Sequence, residues 1–259
     1  MRNFYLIFKK ELKSYFTSPI AYVVITIFLV ISSYFFYSIL ATFATISYQA
    51  TINPMAAKQY GLLNVTEIVI RPLFGNMSVI MLLMMPILTM RLFSEEKKTG
   101  TIELLLTYPV TDMQVILGKF FACLFVFVVM LIPTALYPIL IMIYGEPEIG
   151  PLITGYIGLF LLGASFISLG IFASSITENQ VIAATVAFGA LIFFWLLSFS
   201  VGLADPAIGK IISYISITDH LEAFAKGVID TEDIIYYGVF ITLFIFLTLR
   251  MLESNKWRG

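Results

Sequence analysis

The 15 lysines and arginines and the 16 aspartates and glutamates of this chain all fall outside six windows: residues 14–57, 72–90, 120–145, 149–177, 179–204 and 234–249. An α-helix rises about 1.5 Å per residue and the hydrocarbon core of a bilayer is about 30 Å thick, so a spanning helix needs roughly 17 to 25 apolar residues. Five windows meet that length outright. The sixth is shorter, but Met251 and Leu252 extend it while Arg250 snorkels to the interface. The reading is an all-α integral membrane protein with six transmembrane helices. Composition agrees, because 60% hydrophobic and 12% charged residues with a mean hydropathy of +0.98 lie far from a soluble domain. The first window is longer than one span requires, so its helix is placed near Ile20 to Thr42 and the remainder, with Asn53 and Pro54, is read as a loop. The same length argues against a cleaved signal peptide.

Lysine and arginine set the orientation. With the N-terminus inside, eleven of them fall on the inner side and four (Lys58, Arg71, Lys210 and Lys226) on the outer, so both termini are expected in the cytoplasm of a multi-pass cell-membrane protein, a bacterial inner membrane being the natural setting. Before the first span, Phe4, Tyr5, Phe8, Leu12, Tyr15 and Phe16 recur at helical spacing with Lys9, Lys10 and Lys13 off that face. This pattern predicts an amphipathic interface helix ended by Pro19; the alternative is a basic tail that only signals topology.

Between spans two and three lies FSEEKKTGTIELLLTYPVT, residues 93–111. Thr99 or Gly100 is suited to cap a helix, Glu103 to its first turn, and Ile102, Leu105 and Leu106 share a face. Pro109 stops it, and Thr111 with Gln114 forms a capping box for the next helix. The expectation is a separate two-turn helix on the cytoplasmic side, framed by charge.

The run RLFSEEKKTGTIELLLTYPVTDMQVILGK resembles the signature of ABC-2 type permease subunits, and DHLEAFAKGVIDTEDIIYYG near the end is similar to gliding-motility and copper-maturation permeases of that superfamily. The resemblance implies that residues 93–111 carry a coupling helix docking on a cytosolic ABC ATPase subunit, with Glu96, Gly100, Thr101, Glu103, Leu104, Leu105 and Pro109 matching its motif. It also implies a second permease, another copy or a paralogue, since six helices form half a pathway. The implied function is an ATP-driven permease, working as an exporter; the alternative is a membrane anchor that transmits force in a multi-protein machine driven by the same kind of ATPase. ATP and Mg would belong to the partner subunit. The chain itself has no GxxxxGK[ST] phosphate loop, HExxH or paired cysteines, so it is read as a non-enzyme without a cofactor of its own, with the lipid bilayer and no nucleic acid as its surroundings.

The remaining singular residues are read as structural. Cys123 sits in an apolar run as a small buried hydrophobe. Pro86, Pro133 and Pro138 permit kinks; Gly163 with Gly170, and Ala183 with Ala187, form small-residue seams. Without a charge in the core of any window, an ion-coupled carrier is disfavoured. On the outer side, residues 208–229 show two short amphipathic repeats. Asp219 is placed as the cap of the second, Glu222 and Lys226 pair four apart, Gly227 ends it, and the lone His220 is placed on the wet face. Leu221 and Phe224 are expected to form an outer lid. The single domain 1–259 thus divides into the interface helix (1–19), helices 1 and 2 (20–92), the coupling region (93–111), helices 3 to 5 (112–203), the outer helices (204–233) and helix 6 with its tail (234–259).

Overall fold

The computed structural model describes residues 2–52, 65–101, 110–144, 147–200 and 205–256. Its regular structure among these residues is helical throughout. Helix α1 (Arg2–Thr17) precedes α2 (Pro19–Ile52), the first span. Span two is a π turn (Thr66–Ile70), α3 (Arg71–Thr89) and α4 (Arg91–Lys98). Span three is α5 (Asp112–Leu131), a 3-10 turn (Ile132–Ala135) and α6 (Leu136–Tyr144). Spans four and five are α7 (Ile149–Ile176) and α8 (Gln180–Ser200); α9 (Pro206–Ile215) and α10 (Asp219–Ala225) follow, and α11 (Thr231–Lys256) is span six. Six of these stretches are long and apolar enough to cross a membrane. An even number of crossings brings both termini to one end, the basal end; α9 and α10 lie at the other, the distal end.

Span four is the axis. It is buried over most of its length, whereas spans one, five and six bury only a stripe. Small residues make this possible, because they let neighbouring helices approach closely where lipid supplies no hydrophobic drive. A Cβ added at Gly155 would fall 2.1 Å from the Phe74 ring, at Gly163 2.2 Å from Phe127, and at Gly170 2.1 Å from Thr89 Oγ1. Gly163 and Gly170 therefore seat spans three and two respectively. Ala183 and Ala187 are buried on span five.

Prolines break the ladder where another side chain repairs it. Pro138 has no N–H to give the carbonyl of Thr134, and Tyr156 on span four donates its hydroxyl to that oxygen at 2.8 Å. Tyr137 in turn holds span one, sharing hydrogen bonds with Ser32 (2.8 Å) and Ser33 (3.0 Å) while stacking on Phe36.

Two boundaries and one helix face differ from the sequence reading. The first helix does not end near Thr42 but continues to Ile52; its 34 residues span about 51 Å, well beyond the hydrocarbon thickness. The absence of charge marks what lipid tolerates, not where a helix stops. Span two does not end at residue 92: α4 carries residues 93–98 as its basal extension, with Lys97 and Lys98 in the last turn where cations suit the helix dipole. The buried stripe of α1 runs through Ile7, Glu11 and Tyr15, while Tyr5 is 59% exposed and lies off it.

Gly170→Val should be the most damaging of the span-four glycine substitutions, because Thr89 is short, β-branched and fully buried and has nowhere to swing. A loss of about 1–3 kcal/mol, the usual cost of overpacking, is expected in thermal unfolding of the detergent-solubilised protein. Gly238→Ala, whose Cβ meets open space, should leave the transition unchanged or slightly raised.

Candidate functional site

The basal third of span two is built by an inserted side chain. In a continuous helix the N–H of Ser94 would bond the carbonyl of Met90. Here Ser174 of span four enters between them, accepting from Phe93 N at 3.0 Å and Ser94 N at 3.1 Å and donating to the Met90 carbonyl at 2.8 Å. A hydroxyl offers one donor and two acceptor sites, and all three are used. Insertion of this kind is one of the few causes of a helix joint, and it divides α3 from α4 at Met90. Thr89, seated against Gly170, closes its own hydroxyl on the Met85 carbonyl at 2.9 Å.

Lys119 of span three secures the same joint. Its side chain is 1% exposed, and its ammonium donates to the Leu92 carbonyl at 2.6 Å and to Glu11 Oε1 at 3.0 Å. Glu96 Oε2 lies 3.0 Å away as a charge contact rather than a well-directed hydrogen bond. Lys10 completes the set at 3.1 Å from Glu96 Oε1. Two ammonium and two carboxylate groups thus balance in a cluster that joins α1, α4 and α5, dry around Lys119 and open to solvent at Lys10, with the Phe93 ring 5.0 Å from the Lys119 ammonium. Beside it Tyr15 donates to the Leu88 carbonyl at 2.8 Å, and the Arg91 guanidinium lies over its ring. Burial pushes the Tyr15 phenol well above its usual range, so it remains a neutral donor. Cys123 is buried in the same layer.

The extension ends in a fixed way. Lys97 Nζ reaches the Ser175 carbonyl at the basal end of span four, 2.5 Å away. Gly100 takes φ +70, the left-handed conformation that closes a helix C-terminus, and its N–H bonds the Lys97 carbonyl at 3.1 Å. Gly100 therefore terminates α4. Thr101 pairs its hydroxyl with Thr99 at 2.9 Å. Glu103, Leu104, Leu105 and Pro109, with the expected helix around them, lie outside the described residues. After them, Thr111 and Gln114 form the capping box of α5, each backbone N–H meeting the other's side chain.

Of the motif residues, Glu96 is thus turned inward to the ion cluster, while Gly100 and Thr101 sit at the exit of the joint. Sequence reasoning did not identify Glu11, Lys119 or Ser174. Glu11 interrupts the stripe Ile7, Glu11, Tyr15 with the one acid on a basic segment, and Lys119 abuts the third charge-free window; those were the available signals. Ser174 carried none, since its role depends on its neighbour's backbone.

At the distal end lie Leu221 and Phe224, the residues expected to form an outer lid. Both are buried against span four, where a Cβ on Gly158 would meet Phe224 Cβ at 2.7 Å and Leu221 Cδ1 at 2.8 Å. Thr154 donates to the Phe224 carbonyl at 2.6 Å. Thr218, not Asp219, occupies the cap position of α10, without a side-chain bond. Glu222 and Lys226 pair at 3.1 Å and Gly227 follows at φ +91. His220 is not on the wet face: it is 7% exposed, meets Asp233 Oδ1 at 2.6 Å and the Tyr214 carbonyl at 3.3 Å, and stacks on Tyr236. It ties α9 and α10 to span six.

A family model described as ABC-2 family transporter protein matches residues 5–253. The chain belongs to the ABC-2 transporter family. No curated protein matches it in addition. Membership makes it a membrane permease component of an ABC transporter, of a kind that generally works with a cytosolic ATPase subunit.

For this ABC-2 protein the ion cluster gives a quantitative expectation. Lys119→Met leaves Glu11 and Glu96 without their buried counter-ion and should cost about 3–5 kcal/mol. Lys119→Met with Glu11→Gln retains the Lys10–Glu96 pair and should recover most of that loss. Thermal unfolding of the two variants in detergent measures the difference.

Proposed function

We propose that this chain is an exporting permease subunit whose basal end faces the cytoplasm of a bacterial inner membrane. Residues 101–109 dock on a cytosolic ABC ATPase subunit, which carries the ATP and Mg, and a second permease, another copy or a paralogue, completes the pathway. The observation that carries this reading is the basal joint. The segment that matches the family's coupling motif starts on α4 at Glu96 and runs past its end, and α4 is fastened through Ser174 to span four, through Lys119 to span three and, by the bond of Lys119 to Glu11, to α1. A push on residues 101–109 reaches three helices at once through buried contacts, with no flexible linker between Lys98 and the bundle.

The same joint would serve a force-transmitting anchor equally well, since a machine of that kind needs the same fastening and no cargo. ATP-dependent movement of a lipid, sugar or peptide into vesicles separates the two.

Gly100 provides the test of coupling. Proline cannot adopt φ +70, so Gly100→Pro must re-aim the chain at the exit of α4 while leaving the ion cluster intact. Spin labels placed at the distal end should show an ATP-dependent distance change in the complex with its ATPase, and Gly100→Pro should abolish that change with insertion and thermal stability preserved. An unaltered ATP response in the variant contradicts the proposed route.

A further inference from the structure

At the distal end a cavity of about 530 Å³ opens between the start of span two, the end of span five and α10. This is within the size range of small-molecule sites, about 300–1,000 Å³. Its inner wall is apolar and aromatic: Phe74 from span two, and Trp195 edge-on to Phe199 from span five, ring centroids 4.8 Å apart. Its rim is charged and unbalanced, with Glu67, Asp219 and Glu222 against the single guanidinium of Arg71.

That guanidinium is already committed, bridging Glu67 and Glu222. Glu222 also holds Lys226. Burial works against ionisation of Glu222, but Lys226 and Arg71 outweigh it and hold its carboxyl below the usual range, so the rim keeps its negative charge at neutral pH. Asp219 has no ion-pair partner among the described residues. The cavity therefore combines a surplus carboxylate, an indole on the wall and an apolar floor at the level where a span meets the interface. A group that satisfies all three is a cation carried on an amphiphile: the carboxylate takes the ammonium, and the aromatic rings favour both the cation and the chain behind it.

We propose that this cavity binds the headgroup of a phospholipid bearing a primary ammonium, of the ethanolamine type. The site depends on the membrane-spanning fold and not on the coupling proposed above, so the two fail separately.

The chain offers its own reporter. Trp195 and Trp257 are its two tryptophans, and in a Trp257→Phe background the emission reports on the cavity wall alone. The purified full chain is placed in nanodiscs carrying a fixed fraction of dibrominated phosphatidylethanolamine or dibrominated phosphatidylglycerol. Phosphatidylethanolamine should quench Trp195 more effectively, by about two- to fivefold in relative affinity, the scale of one exposed ion pair. Asp219→Asn, a near-isosteric change, should erase the preference between the two headgroups. Gly75 lines the cavity and has open space around its Cβ, so Gly75→Leu should fill the site without a clash and lower quenching by both lipids. Equal quenching by the two headgroups in the otherwise unmodified chain, or a preference that survives Asp219→Asn, overturns the proposal.

Discussion

The buried ammonium of Lys119 is the constraint around which the basal half of the molecule is arranged. An ammonium out of water is costly unless it is paired and hydrogen-bonded, and the chain meets that requirement with three groups from two elements: a carboxylate on α1, a carboxylate on α4 and a backbone carbonyl of α4. Each of those groups is fixed in place by the need. Helix α1 cannot drift along the membrane surface without stranding Glu11, and α4 cannot unwind without stranding both Glu96 and the Leu92 carbonyl. A hydrophobic side chain at position 119 would pack, but it would remove the polar bond that fixes α1 against span three.

From this cluster the architecture extends in both directions. Towards the terminal end of span two it meets the inserted hydroxyl of Ser174, which replaces a helix hydrogen bond by one to span four. Along span four the same logic of close approach continues through Gly163 and Gly158 to α10, so that the basal joint and the distal helices are seated on one rigid column. The distal end is fastened by different chemistry: His220 with Asp233, and Tyr236 and Tyr237 on the carbonyls of Ile215 and Ile217 at 2.7 and 2.9 Å. An ABC-2 permease built this way has two polar clamps, one at each end of its central helix, and a largely apolar middle.

The six spans were legible because charge cannot enter hydrocarbon, a constraint that acts on each residue independently of its neighbours. The capping box at Thr111 and Gln114 and the Glu222–Lys226 pair were legible for a related reason, being local in sequence. What escaped was relational. Lys119 and Glu11 stand 108 positions apart, and nothing on either side of them announces the other. His220 looked like surface because a lone histidine on a short helix has no sequence partner; Asp233 and Tyr236 become its partners only when α10 folds against span six. The end of the first helix was misplaced because a charge-free stretch has no internal mark where lipid gives way to water. The inward turn of Glu96 likewise depends on cations from two other helices.

The central claim is that α1, α4 and α5 move as one body when the coupling segment is driven. Its most direct test is a covalent lock between two of them. Ile7 and Gly118 are in contact across α1 and α5, a Cβ on Gly118 falling 3.1 Å from Ile7 Cβ, so that a shift apart of about 0.5 Å brings the pair into the separation of about 3.5–4.5 Å that a disulfide takes. The pair Ile7→Cys and Gly118→Cys, in a Cys123→Ser background, is to be oxidised and reduced in the complex with its ATPase while ATP-dependent function is followed. The account predicts the same activity in the locked and unlocked states. Activity lost on oxidation and restored by reductant would show that α1 slides against span three during the cycle, and would contradict it.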